Sequence, residues 1–138
     1  MSQNMFSLQK FTFKQYCTAL IIWTVIVLTL LLMPSSSFSH APKLLNIPHS
    51  DKIAHFVLFS AESFLLFMTL KLSGKKISSN LYIFTTGVIF IFGLLTEILQ
   101  GLMYNTAKRN FSLGDLAFDT LACIAAMLFL YWLNKRKK

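Results

Sequence analysis

The chain contains four long stretches in which charged side chains are nearly absent, and these stretches constrain its fold more than any other feature. They cover residues 16–33, 51–72, 81–101 and 115–133. A helix needs about 20 predominantly apolar residues to cross a hydrocarbon core of about 30 Å. Lipid offers no partner to backbone N–H and C=O groups, so such stretches cross a bilayer as helices. We therefore predict an all-α fold, an integral membrane bundle of four transmembrane helices.

The composition agrees with an apolar solvent. Hydrophobic residues make up 55% of the chain and charged residues only 13%, so a soluble domain would lack the polar side chains to cover its surface. The 14% share of aromatic residues argues against disorder. No internal repeat is evident, and we predict a single domain over residues 1–138. A cleaved signal peptide is the other reading of the first stretch, but that stretch exceeds the usual signal core of about 7 to 15 residues.

The formal charge of +8 does not indicate nucleic-acid binding, because the lysines and arginines separate the apolar stretches instead of forming one basic surface. Most of them lie in the N-terminus, in the loop after the second stretch and in the C-terminal tail. Basic loops remain on the cytoplasmic side, so we predict that both termini are cytoplasmic. Cys17 and Cys123 show no metal-binding spacing, and we expect no disulfide, metal or cofactor.

All five acidic residues lie in or beside the predicted helices, and a carboxylate at membrane depth usually faces protein or water and marks a functional site. The alternating helix directions bring the start of the second helix, the end of the third and the start of the fourth to one outer level. We therefore predict an extracytoplasmic polar cluster, which is either a ligand pocket or a satisfied network. Its members are Asp51, Lys52, His55, Glu97, Gln100, Arg109, Asp115 and Asp119.

Specific pairings follow from the helix ends. Glu97 lies near a helix C-terminus, where the helix dipole disfavours an anion, and we predict a bidentate pair with Arg109. Asp51 and Asp115 lie in first helical turns, where acids are favoured, and Ser112 stands at capping-box spacing before Asp115. Capping alone is the alternative to a functional role for these two acids.

The remaining polar residues leave alternatives open. His55 is either hydrogen-bonded within the bundle or a proton carrier, since imidazole titrates near neutral pH. Glu62 has no partner that the sequence identifies. Small residues beside the acids predict close helix approach. They are Gly93, Gly101, Ala122 and Ala126.

Three short motifs follow one another along the chain: Asp51-Lys52-Ile53-Ala54-His55-Phe56, the pair Glu97 and Gln100, and Arg109 with Ser112 and Asp115. In this order they resemble the motifs of the VanZ-like family of bacterial membrane proteins, and the resemblance covers about residues 51–129. The family is named for a member linked to low-level teicoplanin resistance. The resemblance implies a multi-pass protein of the bacterial cytoplasmic membrane. Asp119 and Ala122 stand where the family commonly has Asn and Gly.

These observations favour a protein that recognises an envelope-associated amphiphile, such as a lipid head group or a glycopeptide. One alternative is an enzyme with Glu97 or Asp115 as base and His55 as acid, but no nucleophile-and-base motif supports it. Another is a proton-coupled carrier that uses Glu62 and Asp119 as a relay. We favour recognition over catalysis.

Overall fold

The computed structural model describes residues 11–38 and 50–136, and these residues form helices joined by short connections. The four long helices are α1 (Phe13–Leu32), α2 (Ser50–Leu72), α3 (Ser79–Leu102) and α5 (Leu113–Arg136). A short 3-10 helix, Ser35–Phe38, follows α1, and a single helical turn, α4 (Tyr104–Ala107), follows α3. All four long helices are long and apolar enough to cross a membrane.

The structure confirms the predicted number and positions of the long helices. The observed helices begin one to three residues before the predicted stretches, because polar residues at helix ends take part in the backbone hydrogen bonding, and they end within three residues of the predicted bounds. Thr12, for example, caps α1 through a capping box with Gln15. The orientation across the membrane stays a prediction.

The connection between α3 and α5 differs from the loop that the sequence suggested. The polar residues 105–110 interrupt the apolar pattern and predict a break after the third helix, whereas Tyr104–Ala107 form one further turn, α4. That turn ends at Lys108, whose φ of 54° is left-handed. A residue in this conformation stops helical hydrogen bonding and redirects the chain.

The prolines between the first two helices predict a loop there, but Pro42 and Pro48 lie outside the described residues, as do the neighbouring His40 and His49. Some of the cations that carry the predicted orientation also lie outside them: Lys10, Lys43, Lys137 and Lys138.

Helix α2 packs against α1, α3 and α5, and this contact buries an apolar core along the bundle. Phe59 and Phe67 of α2 are fully buried in that core, together with Val27 of α1. Many large apolar side chains point outward instead, and Ile83 of α3 is 70% exposed. An outer surface of this kind suits lipid and would be unfavourable in water.

Buried polar side chains gather where four helix ends meet. These ends are the C-termini of α1 and α3 and the N-termini of α2 and α5, and we call this region the polar end. The opposite end holds the turn at Gly74 and the C-terminus of α5, where the guanidinium of Arg136 lies 3.6 Å from the ring centre of Trp132. Such a contact suits a membrane–water boundary, where one face is apolar and the other is wet.

Candidate polar site at one end of the bundle

An ion pair joins α2 to the first turn of α5. Nζ of Lys52 lies 2.8 Å from Oδ1 of Asp115. The backbone N–H of Asp115 donates to Oγ of Ser112 at 3.2 Å, which is the N-cap hydrogen bond that the spacing predicted. Asp115 is therefore both a first-turn acid and an ion-pair partner.

One turn further into the bundle, His55 and Asp119 form a second contact between the same two helices. Nδ1 of His55 lies 2.9 Å from Oδ1 of Asp119, within hydrogen-bonding distance, and the two side chains are only 1% and 2% exposed. The ring of His55 stacks on that of Phe59, with 4° between the planes. The interpretation of His55 as a residue hydrogen-bonded within the bundle therefore has a structural basis.

Glu97 is completely buried, and its partner is not the predicted one. Oε2 of Glu97 accepts a hydrogen bond from the backbone N–H of Ser112 at 2.8 Å. That N–H belongs to the N-terminus of α5, where the orphan donors and the positive end of the helix dipole both favour an anion. The positive end of the α5 backbone therefore stabilises the Glu97 carboxylate.

The structure contradicts the predicted bidentate pair between Glu97 and Arg109. Nε of Arg109 donates to the backbone carbonyl of Met33 at 3.0 Å, and Nη2 donates to that of Leu30 at 3.4 Å. Nη1 lies 3.9 Å from Oδ1 of Asp51. The last carbonyls of α1 lack helical partners and carry the negative end of its dipole, so they attract the guanidinium.

Gln100 also binds the C-terminus of α1. Its Nε2 donates to the carbonyl of Leu31 at 2.8 Å, and the side chain is buried. The C-terminus of α1 is therefore satisfied by side chains from elsewhere in the chain. Both Gln100 and Arg109 belong to the resemblance motifs, and the hydrogen bonds named above go from their side chains to backbone carbonyls at the end of α1, outside the motif region.

The glycines predicted to allow close helix approach have near neighbours at the polar end, but these are side chains and the connecting residue Phe111 and not a facing helix backbone. A Cβ atom on Gly93 would lie 3.3 Å from Oδ2 of Asp119 and 3.4 Å from Cε1 of Phe59. A Cβ atom on Gly101 would lie 3.1 Å from Cβ of Phe111. Ala122 is fully buried on the Asp119 face of α5, and Ala126 packs against the core.

Two carboxylate oxygens in this region lack a hydrogen-bond partner among the described residues: Oε1 of Glu97 and Oδ2 of Asp119. His55, Glu97 and Asp119 each offer a nitrogen or oxygen atom, and these atoms lie within 4.8 Å of one another. Asp51, His55 and Asp115 form a second group with the same property. Both groups combine side chains from different helices, so their members show no local spacing in the sequence.

A third orphan oxygen, Oε2 of Glu62, lies deeper in α2. Oε1 of Glu62 accepts a hydrogen bond from the hydroxyl of Thr24 at 2.7 Å. Sequence analysis found no partner for Glu62, because a single threonine in the apolar stretch of α1 carries no distinguishing pattern. Its contact with Glu62 appears only once α1 and α2 are packed together.

The structure brings all eight predicted cluster residues to the polar end, at different depths. Asp51 and Lys52 are the more open members, with side chains 62% and 30% exposed, and the Arg109 side chain is 17% exposed. We call these three residues the rim. The other five are buried: His55, Glu97, Gln100, Asp115 and Asp119.

An open groove between α3 and α5 is separate from this cluster. It lies at the opposite end of the bundle and is lined by apolar and aromatic side chains, including Tyr82, Ile83, Leu128 and Tyr131. None of its lining residues belongs to the predicted cluster.

Comparison with known proteins gives one informative likeness. The chain is 29% identical over 111 residues to the uncharacterized protein C11E3.10 of Schizosaccharomyces pombe. The alignment covers 80% of this chain, which spans 64% of the length of that relative. No family model matches the chain, and no solved structure matches it. The resemblance to the VanZ-like family stays a prediction.

Proposed function

We propose that this chain is a multi-pass membrane protein of the VanZ-like kind whose polar end recognises the charged head group of an envelope amphiphile. The observation that carries the proposal is the meeting of partly exposed cations and buried acids where four helix ends converge. Charged groups at membrane depth are costly, and they are retained mainly where they serve a site. The proposed setting is a bacterial cytoplasmic membrane, as the motif resemblance implies.

The proposed orientation places both termini in the cytoplasm and the polar end outside. The excess of basic residues near the termini and the Gly74 turn supports it. Single cysteines introduced at positions 51 and 109, in a chain lacking Cys17 and Cys123, would react with an impermeant thiol reagent on intact cells. Cysteines at 75 and 136 would react only after lysis. The reverse pattern would show that the polar end faces the cytoplasm.

The rim has the chemistry to bind an anionic head group. The guanidinium of Arg109 is held by two carbonyls of α1, which fixes its position before any ligand arrives. Its 3.9 Å contact with Asp51 is long, and Asp51 is largely exposed, so a phosphate could replace that carboxylate with little loss. Nζ of Lys52 could share its hydrogens between Asp115 and the same phosphate.

Native mass spectrometry of the purified chain with phosphatidylglycerol or phosphatidylcholine tests this proposal. We expect the chain to retain phosphatidylglycerol preferentially and K52Q/R109Q to lose that preference by about tenfold, because two charge-assisted contacts are removed. K75Q/K76Q is the matched control, since it removes two cations from the other end. Equal losses in both variants would mean that general surface charge, and not the rim, holds the lipid.

The resistance part of the proposal has its own readout in a teicoplanin-sensitive bacterium. Expression of the chain should raise the teicoplanin concentration that stops growth, and Arg109→Lys should abolish the increase. The Lys side chain keeps the charge but cannot hold two α1 carbonyls in the same geometry. If Glu97→Gln, Arg109→Lys and Asp115→Asn all accumulate normally and still protect, the proposal fails.

An acid–base enzyme is the second candidate, and the contact between His55 and Asp119 favours it. A carboxylate that orients an imidazole is a common arrangement in general acid–base catalysis. Asp115 is already paired with Lys52, so the base would be Glu97. The same lipid spectra test this candidate, because a head-group product that requires His55 would appear at a new mass. The proton-coupled carrier, which would use Glu62 and Asp119 as a relay, is not favoured by the structure. The apolar side chain of Phe59 is fully buried between His55 and Glu62 along α2.

A further inference from the structure

The innermost part of the polar end combines three ionisable side chains from three helices in a space closed to solvent. His55 of α2, Glu97 of α3 and Asp119 of α5 are each no more than 1% exposed. A buried polar atom normally has a hydrogen-bond partner, and each orphan acceptor costs about 1–3 kcal/mol. Oε1 of Glu97 and Oδ2 of Asp119 both lack one among the described residues.

We propose that His55, Glu97 and Asp119 bind a divalent transition-metal ion of the Zn²⁺ or Mn²⁺ class. One ring nitrogen and two carboxylates would supply three ligands, and water or a ligand head group would complete the coordination. The proposal does not depend on head-group recognition at the rim.

Ionised Glu97 and Asp119 are contacted by one backbone N–H and one imidazole, respectively. Among the described residues, no lysine or arginine lies within ion-pair distance of Glu97 or Asp119. Lys52 is paired with Asp115, and Arg109 is directed to α1 and Asp51. When both carboxyl groups are ionised, their two negative charges exceed the single positive charge of a protonated imidazole. A divalent cation would compensate that excess.

The donor atoms select the class of ion. Imidazole nitrogen binds first-row transition metals well, and carboxylates suit Zn²⁺ and Mn²⁺, whereas Mg²⁺ and Ca²⁺ prefer oxygen ligands alone. The group contains no thiolate, so it does not favour Cu⁺ or an iron–sulfur cluster.

The geometry is close to that of a formed site. Metal–ligand distances of about 2.0–2.2 Å place neighbouring ligand atoms about 3–3.5 Å apart. The three donor atoms already lie within 4.8 Å of one another. Side-chain rotations that move these atoms by about 1 Å would bring them to the separation that metal ligands have. Binding would exchange the hydrogen between His55 and Asp119 for the metal, since metal ligands must be deprotonated.

Surrounding residues hold the donors in place. The backbone N–H of Ser112 binds Oε2 of Glu97 and leaves Oε1 available for a ligand bond. Gly93 provides the space beside Oδ2 of Asp119, and Phe59 covers one face of the imidazole. Outer contacts of this kind orient metal ligands and change affinity by about 10- to 100-fold.

The second group, Asp51, His55 and Asp115, is a poorer candidate for the same ion. Oδ1 of Asp115 already binds Nζ of Lys52 at 2.8 Å, and that cation would oppose a metal ion at the same carboxylate. The Asp51 side chain is 62% exposed, so water satisfies it. The orphan oxygens belong to Glu97 and Asp119 alone of these acids.

The test is metal binding by the full chain, purified in detergent and stripped with a chelator. We expect dialysis against Zn²⁺ or Mn²⁺, each alone, to leave roughly one ion per chain by elemental analysis, with excess Mg²⁺ present. His55→Ala and Glu97→Gln should each weaken binding by roughly 100-fold, because a ligand is lost. Glu62→Gln is the matched control, since Glu62 is also a buried acid with an orphan oxygen, and it should bind as the native chain does.

The native chain gives an answer even if a variant fails to fold, as judged by size-exclusion profile and helical circular dichroism. X-ray absorption at the Zn or Mn edge should show nitrogen and oxygen ligands without sulfur. A native chain that retains no ion would overturn the proposal. Sulfur ligands, or undiminished binding by folded Glu97→Gln protein, would place the ion elsewhere and overturn it as well. Phosphatidylglycerol retention is a separate measurement, so either proposal can fail without the other.

Discussion

Helix α2 carries two buried polar positions that differ in their surroundings. Glu62 meets the hydroxyl of Thr24, a neutral group, and is otherwise enclosed by the apolar bundle. His55 meets Asp119, with Glu97 beside them, where two helix N-termini and two C-termini converge. Both positions include a carboxylate oxygen without a hydrogen-bond partner among the described residues. Only the position around His55 combines several ionisable groups.

The difference shows what makes a buried acid a candidate site. A lone carboxyl group in an apolar environment can become neutral by taking up a proton, and a hydroxyl can then pair with one of its oxygens. Two carboxyl groups with an imidazole in one enclosed space interact with one another, so their charges depend on what binds among them. Burial alone therefore marks Glu62 as unusual, whereas the grouping at the polar end indicates a ligand.

Replacing His55 should give the largest loss of stability among single changes at these two positions. His55→Ala removes the partner of Asp119 and leaves a buried acid without compensation, which costs about 3 kcal/mol when a buried pair is broken. Unfolding of the purified protein by denaturing detergent, followed by circular dichroism with a chelator present, would measure this cost. The chelator separates the loss of the contact from any loss of bound metal.

Thr24→Val is the matched control at the other position. It keeps the shape of the side chain but removes the hydroxyl from Glu62, and we expect a loss of about 1 kcal/mol, as is usual for a hydrogen bond between membrane helices. A loss equal to that of His55→Ala would mean that the two positions are energetically alike. The distinction between a lone acid and a grouped site would then be wrong.

The fold was largely predictable because length and hydropathy determine membrane helices. The apolar stretches identified four helices, and their alternating directions placed Asp51, Glu97 and Asp115 at one end. The turn α4 was not predictable, since it contains Tyr104 to Ala107, which carry no helical pattern of their own.

The membership of the candidate site was predictable, but its pairings were not. Sequence reasoning gave Glu97 a side-chain cation, because charge arguments compare side chains and leave out backbone termini. The structure gives Glu97 the amide of Ser112 and gives Arg109 the last carbonyls of α1. The grouping on which the proposed metal site rests was not predicted for a related reason, since His55, Glu97 and Asp119 come from three helices and share no local spacing.

An effect smaller than that of His55→Ala tests whether the polar end depends on close packing, and α3 offers two glycines for it. A Cβ atom on Gly93 would press against Asp119 and Phe59, at 3.3 and 3.4 Å, whereas one on Gly87 meets nothing within 4 Å. Gly93→Ala should therefore destabilise by about 1–2 kcal/mol, because added volume forces packed neighbours to shift. Gly87→Ala should be neutral or stabilise by up to about 1 kcal/mol, because alanine is the better helix former.

The same unfolding measurement applies to both glycine variants, and the opposite signs make the comparison independent of general helix propensity. The metal site adds a second readout. If Asp119 is a ligand held in place by the space at Gly93, Gly93→Ala should also weaken Zn²⁺ binding, and Gly87→Ala should leave it unchanged. Equal stability of the two variants would show that Asp119 can move away from α3 freely, and the enclosed geometry on which the three-ligand site depends would not be rigid.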